Sequence, residues 1–212
     1  ATCATVAPSP DPTTTPAPTE TFEPTRERML VATDAELRSA VESAASKDHI
    51  VIERDIALAG TLVFPQWLTG VKLAADKPGT TLLALGEFTL IWVENTELIL
   101  VNLVLTGGVS SGSGGGAVYV RYGVLRVRRC TFSRNSATTG GAVYAYYSTA
   151  TFEDTLFELN EAGESGGAVY IFSDSQGIFL RTNFFHNYAG TNGGAVVFQT
   201  NRPEEVDPSL FK

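Results

Sequence analysis

The phrase Gly-Gly-Ala-Val recurs four times in the second half of the chain, beginning at Gly115, Gly140, Gly166 and Gly193, at intervals of 25, 26 and 27 residues. A second phrase alternates with it: Phe132-x-x-Asn135, Phe157-x-x-Asn160 and Phe184-x-x-Asn187. A period of this length marks one supersecondary unit stacked on its neighbours, because a single unit cannot bury its own apolar face. The most repeated residues are therefore expected to serve stacking before chemistry.

Each unit is rich in β-branched and aromatic residues and punctuated by glycine. It reads as two or three short strands separated by turns, not as a helical hairpin. In one period, residues 142–145 form a strand, 150–152 a second, Glu153-Asp154 a turn and 155–157 a third, followed by a glycine-containing turn after Asn160. Short strands that return every 25 residues fit a solenoid in which each strand pairs with its equivalent one coil away, about 4.8 Å distant. The expected fold is all-β: a right-handed single-stranded parallel β-helix with a short N-terminal capping α-helix and an extended Thr/Pro-rich N-terminal tail.

The ladders follow from the period. Val118, Val143, Val169 and Val196 form one, and Val120, Ala145, Ile171 and Phe198 a second on the same inward face. Tyr119, Tyr144 and Tyr170, closed by Val197, then point outward, because side chains alternate along a strand. Phe132, Phe157 and Phe184 stack inside, with Cys130, Thr155 and Thr182 facing inward beside them. Asn135, Asn160 and Asn187 form an amide ladder at a turn. The paired glycines supply a tight corner.

Upstream, Thr33 and Glu36 make a capping box, and Leu37, Ala40, Val41, Ala44 and Ala45 carry one helical face. A helix over 34–46 is expected to cover the first coil, where a solenoid would otherwise expose core and strand edges. Less regular coils follow over 50–96, with strands at 50–52, 56–58, 61–63, 82–83 and 88–93, and regular coils over 97–198. Trp67 and Trp92 are expected to fill volume in the first coils.

These two phrases in register resemble the repeats of the chlamydial polymorphic outer membrane proteins, and residues 30–96 resemble the start of pectin-lyase-like β-helices. The first resemblance implies a surface-displayed adhesive passenger ahead of a C-terminal membrane barrel. What it implies for this chain is fold and extracellular or cell-surface display, not a catalytic set, and no barrel segment is read in this sequence.

Composition sets further bounds. With 43% apolar residues the chain can bury one core, over 29–212, preceded by a tail at 1–28. Residues 1–25 hold eight Thr and six Pro, a stretch that cannot offset its ordering entropy by burial. It reads as an O-glycosylated stalk or an unmodified linker. The absence of an initial Met fits signal-peptide removal or a fragment boundary. The segment 199–212 holds less than one coil and no second amphipathic helix, so the C-terminal end is expected to be sealed by the Pro-rich tail, a partner or further coils. A net charge of −8 argues against nucleic acid, whose phosphates demand a basic stripe. No run of residues is long and apolar enough for a membrane span. Cys130 is expected to be a buried free thiol, with a Cys3–Cys130 disulfide as the alternative in an oxidising compartment.

A search for chemistry returns no constellation. His49 and His186 lie many residues apart, which disfavours a histidine triad or metal site; His186 reads as a variable turn residue. The acids Glu153, Asp154, Glu158, Glu161, Glu164 and Asp174 read as solvated turn charges. Glu153-Asp154 is expected beside Leu125-Arg126 one coil earlier and Ser175-Gln176 one coil later, which leaves no cluster of acids with a base. Arg126, Arg128 and Arg129 read as the outer face of a strand, and the Gly112–116 run as a turn, since it lacks the Lys of a phosphate loop. No catalytic residue, cofactor or metal ligand is expected. The candidate contact face is aromatic: Tyr119, Tyr144 and Tyr170, with Tyr122, Tyr146 and Tyr147 beside them. Its roles, in order, are sheet-stabilising ladder, contact with other subunits of an extracellular assembly, and stacking against glycans. The function expected is a non-enzymatic structural or adhesive scaffold, ahead of a carbohydrate-binding module and a polysaccharide-acting enzyme.

Overall fold

The structure, a computed structural model, describes residues 28–199; the Thr/Pro-rich segment, Cys3 and residues 200–212 lie outside the described residues. Those residues form a right-handed parallel β-helix in which every strand pairs in parallel with its equivalent one coil away. The faces are a seven-stranded sheet from Arg28–Val31 to Gln176–Leu180, a six-stranded sheet from Ile56–Leu58 to Asn183–Phe185, and a six-stranded sheet from Leu62–Phe64 to Val196–Gln199. A fourth, four-stranded sheet runs from Val109–Ser113 to Tyr188–Ala189. This last sheet stands where a turn is expected after the Phe-x-x-Asn phrase, so the regular coils carry four strands. The strands Arg28–Val31 and Thr69–Ala75 were also not foreseen. The second bulges at Gly70, which breaks the alternation that marks a strand.

Coil corners are built from single residues in the left-handed region. One column is Asn102, Arg129, Asp154 and Arg181, a second Asn95, Tyr122 and Tyr147, and a third Arg134, Leu159 and His186, all with φ between 46° and 59°. One such residue turns the chain sharply between strands without a long loop. That is the physical content of reading His186 as a turn residue.

The interior follows the ladders. Val118, Val143 and Val169 pair in register, as do Val120, Ala145 and Ile171, and all six are buried. Phe132, Phe157 and Phe184 stack nearly parallel, with ring centroids 4.8 and 5.1 Å apart. The Asn ladder is a directional chain. Asn160 Nδ2 donates to Asn187 Oδ1 (2.9 Å) and to the Phe132 carbonyl (2.9 Å), and its Oδ1 accepts from the backbone N–H and the Nδ2 of Asn135 (3.1 and 3.0 Å). Asn135 repeats the pattern toward Gly108 N–H and the Leu105 carbonyl. Both amides are 1% exposed, so the full set of partners offsets a large desolvation cost.

The glycines of the repeated phrase are required by how closely coils approach. A Cβ on Gly141 would lie 2.2 Å from the Gly167 carbonyl oxygen, and one on Gly167 2.1 Å from that of Gly194. Backbone, not a movable side chain, occupies the space.

The helix spans Asp34–Ser43, three residues shorter than expected. Thr33 Oγ1 accepts from Glu36 N–H, while Glu36 reaches back to the N–H of Ala32 instead of Thr33. Leu37, Ala40 and Val41 are buried over the first coil, and Arg38 ties the helix down by donating to the carbonyls of Gly60 and Thr61. Ala45 is exposed, because the helix has already ended.

Two expectations about tryptophan are corrected. Trp67 is 74% exposed. Trp92 sits on the outward side in register with Tyr119, its ring 4.2 Å away, because the inward positions of that strand belong to Ile91 and Val93.

Candidate functional site

The tyrosine row forms as a stack. Tyr119, Tyr144 and Tyr170 pair in register with ring centroids 5.5 and 5.4 Å apart and planes within 9°. It is not an open face, however: Tyr144 and Tyr170 are each only 7% exposed. Their rings cover one another, and the row lies against the glycine corners. A Cβ on Gly140 or Gly166 would come within 3.1–3.2 Å of Tyr170 Cβ. The Tyr170 hydroxyl donates to Gln199 Oε1. Burial drives the phenol of Tyr144 well above its ordinary range, and those of Tyr119 and Tyr170 upward too.

The accessible aromatic surface is at the next corner. Tyr122 and Tyr147 occupy equivalent left-handed positions and stack at 5.4 Å, with 44% and 39% of their surfaces exposed. Tyr146 bridges them to Phe172, and the Arg121 guanidinium lies 4.9 Å from the centre of the Tyr122 ring. Beside this corner is a depression of about 470 Å³ lined by Thr96, Thr149, Ser148 and Gln176 among others.

A second depression, about 650 Å³, lies on the outer face of the seven-stranded sheet. Sequence order does not suggest it. Register places Lys72, Ile99, Arg126 and Thr151 in one outward row, and Val101, Arg128 and Glu153 in the next. Lys47 and Arg129 flank them, so five cations line the depression against two carboxylates, Glu97 and Glu153. Arg126 pairs with Glu97 (2.6 Å) and Arg128 with Glu153 (2.8 Å). Alternation in Arg126-Val127-Arg128 foretold the outward arginines. Lys72 was missed with its strand, although it precedes Arg126 by two coil periods of 27 residues.

The expectation that no acids gather with a base is corrected here. Glu153 ends the strand Thr149–Glu153 instead of lying in a turn, so it pairs with Arg128 before it and Leu180 after it. Arg181 then reaches both Glu153 (2.6 Å) and Asp154 (2.5 Å). The hydrogen bond from Arg128, then that from Arg181, holds the Glu153 carboxyl below its usual range; Arg181 does the same for Asp154. These are ionised, charge-paired groups, poorly suited to taking up a proton at neutral pH. Glu158 lies between Ser133 and Phe185, as the period required. Among the described residues no three His, Cys, Asp or Glu side chains gather as a metal ion would need, and no helix is long and apolar enough to cross a membrane. Cys130 is a buried free thiol whose pKa burial pushes up to about 12, so it stays protonated and poorly nucleophilic.

These features define a right-handed parallel β-helix with short repeated coils. The repeat of the Chlamydia polymorphic membrane protein family matches residues 129–146, the stretch that holds Phe132, Asn135 and the Gly140 to Val143 phrase. Among solved structures, the PL6 family alginate lyase AlyGC shares the fold, with a TM-score of 0.52 and 14% sequence identity. The alignment covers 82% of this chain and 32% of the lyase, so the chain spans about a third of that enzyme. At this identity the likeness is one of fold. No curated protein matches the chain.

Proposed function

We propose that this chain is a non-enzymatic structural or adhesive scaffold displayed at a cell surface or in an extracellular assembly. The observation that carries the reading is the match to a polymorphic membrane protein repeat whose signature residues are spent on stacking: Phe132 and Phe157 stack in the buried core, and the Asn amides bond from coil to coil. Such a stack makes a stiff support whose outer faces vary without disturbing the core. Its partners are other subunits, further coils or glycans. Light scattering and negative-stain microscopy on native material test the reading. Filaments or sheets support a structural subunit, whereas monodisperse single rods overturn assembly as its role.

The enzyme reading draws on the alginate-lyase likeness and on the cations beside Glu153. It predicts release of oligosaccharides from an anionic polysaccharide, lost when Glu153 is replaced. The scaffold reading predicts no turnover with either protein.

A further inference from the structure

We propose that copies of this chain pack side by side with axes aligned, the arginine-bearing face of the seven-stranded sheet in one copy receiving an acidic ridge from another side of the next. The inference rests on the scaffold reading and deepens it, since it names the surfaces through which subunits would meet.

The sheet face carries a surplus of cations. Glu97 and Glu153 hold Arg126 and Arg128, whereas Arg129, at the corner beside them, forms no ion pair among the described residues. Ordered guanidinium groups with N–H donors to spare suit a second carboxylate, because little rotamer entropy remains to be lost. The complement stands one coil later and further round the same rod. Glu158 and Glu161 flank the left-handed corner at Leu159, which makes them a ridge, and neither forms an ion pair among the described residues.

Apolar residues follow the charges in both patches. On the sheet face Thr151 and Glu153 are succeeded one coil later by Ile178 and Leu180. On the ridge Glu158 and Glu161 are succeeded by Phe185 and Tyr188. All four apolar side chains are exposed, and all four belong to one coil. A copy displaced sideways, without rotation or stagger, therefore sets Ile178 and Leu180 against Phe185 and Tyr188. The same displacement leaves Glu158 and Glu161 one coil step, about 4.8 Å, from the row that runs from Arg126 to Arg129, a gap that long cationic side chains bridge. Glu153, which stands level with them, is already neutralised by Arg128 and Arg181. Because the two patches lie on different sides of the rod, the contact is heterologous and repeats without closing, giving rows of parallel rods.

Charge complementarity within one chain is what points to a second copy. A free acidic peptide would meet the arginines, but the strand N–H and C=O groups beneath it are already paired, and Phe185 and Tyr188 would stay uncovered on the far side. The net charge of −8 does not forbid the contact, since charges beyond about 8 Å are largely screened at physiological ionic strength while groups in contact are not.

The test is a charge swap read by sedimentation velocity and negative-stain microscopy on the purified full chain, with thermal unfolding as the check on folding. One variant is Arg126→Glu/Arg129→Asp, aspartate being tolerant of the left-handed corner; the other is Glu158→Lys/Glu161→Lys. Each alone is expected to remain single rods at about ten times the concentration at which the parent assembles, because like charges then face one another. A one-to-one mixture of the two is expected to assemble again, since each supplies the sign the other has lost. Phe185→Ser/Tyr188→Ser, at exposed positions, is expected to weaken assembly of the parent by about tenfold as well. Reversed variants that assemble like the parent, folded variants whose mixture stays as single rods, or an unaffected Phe185/Tyr188 variant would each overturn the proposal. The outcomes separate it from the scaffold reading. A parent that forms filaments untouched by either reversal keeps the structural subunit and overturns this interface, whereas a parent that stays as single rods overturns assembly and the interface together.

Discussion

Replacing Asn160 by alanine removes the middle rung of the amide ladder. The side chain is 1% exposed and makes four hydrogen bonds, two accepted from Asn135 and two donated, to Phe132 and Asn187. A net hydrogen bond is worth about 1 kcal/mol, and a buried donor left without its acceptor costs about 1–3 kcal/mol. The Asn135 N–H, in a residue itself 1% exposed, becomes such a donor. The expected loss is about 3–5 kcal/mol. For a domain of this size that lowers Tm by about 6–20 °C, read by far-UV circular dichroism. Asn187→Ala is the internal comparison. Its amide is half-buried in the last described coil and makes three of these bonds, so about 1–3 kcal/mol is expected. Asn160→Asp keeps the acceptor but loses both donations and buries a charge, so it should cost at least as much as alanine. If Asn160→Ala costs under about 1 kcal/mol, or no more than Asn187→Ala, the ladder is a by-product of stacking and the reasoning fails.

Other outcomes follow from the same geometry. Gly141→Ala puts a Cβ 2.2 Å from the Gly167 carbonyl oxygen, so about 3 kcal/mol or more of destabilisation is expected, measured as insoluble expression or a large fall in urea midpoint. Leu159→Asn should stabilise by about 0.5–1 kcal/mol in the same denaturation assay, because Leu159 is exposed and held at φ 55°, a conformation asparagine tolerates better. Glu153 and Asp154 titrate lower in the folded chain than in the unfolded one. Their contribution is therefore present above their ordinary values of 4.5 and 3.8 and is lost as pH falls through the folded values. Glu153→Gln/Asp154→Asn should flatten the acid side of a Tm-versus-pH profile, and added salt should shrink the difference because the groups are exposed.

How much was legible in advance depends on whether a feature repeats. The Gly-Gly-Ala-Val and Phe-x-x-Asn phrases report a period, and a period sets which residues are stacked one coil apart. Val118 over Val143, Phe132 over Phe157 and Asn135 over Asn160 needed nothing further. Where the first coils lose the period, the reading failed: the strand bulged at Gly70 went unseen, and Trp92 was assigned to the core although its neighbours Ile91 and Val93 fill it. The tyrosine row was found but its accessibility was not. Burial depends on what lies across from a ring, and here that is a neighbouring ring and a glycine corner.

The coil and its inward ladders are legible residue by residue, because they rest on local alternation and a constant repeat. The surface is not legible that way. Lys47, Lys72 and Arg126 stand dozens of residues apart, and a one-residue change in any corner would turn a different side chain outward. Their meeting on one face beside Tyr122 and Tyr147 is set by register summed over several coils, a quantity that no single stretch of sequence contains.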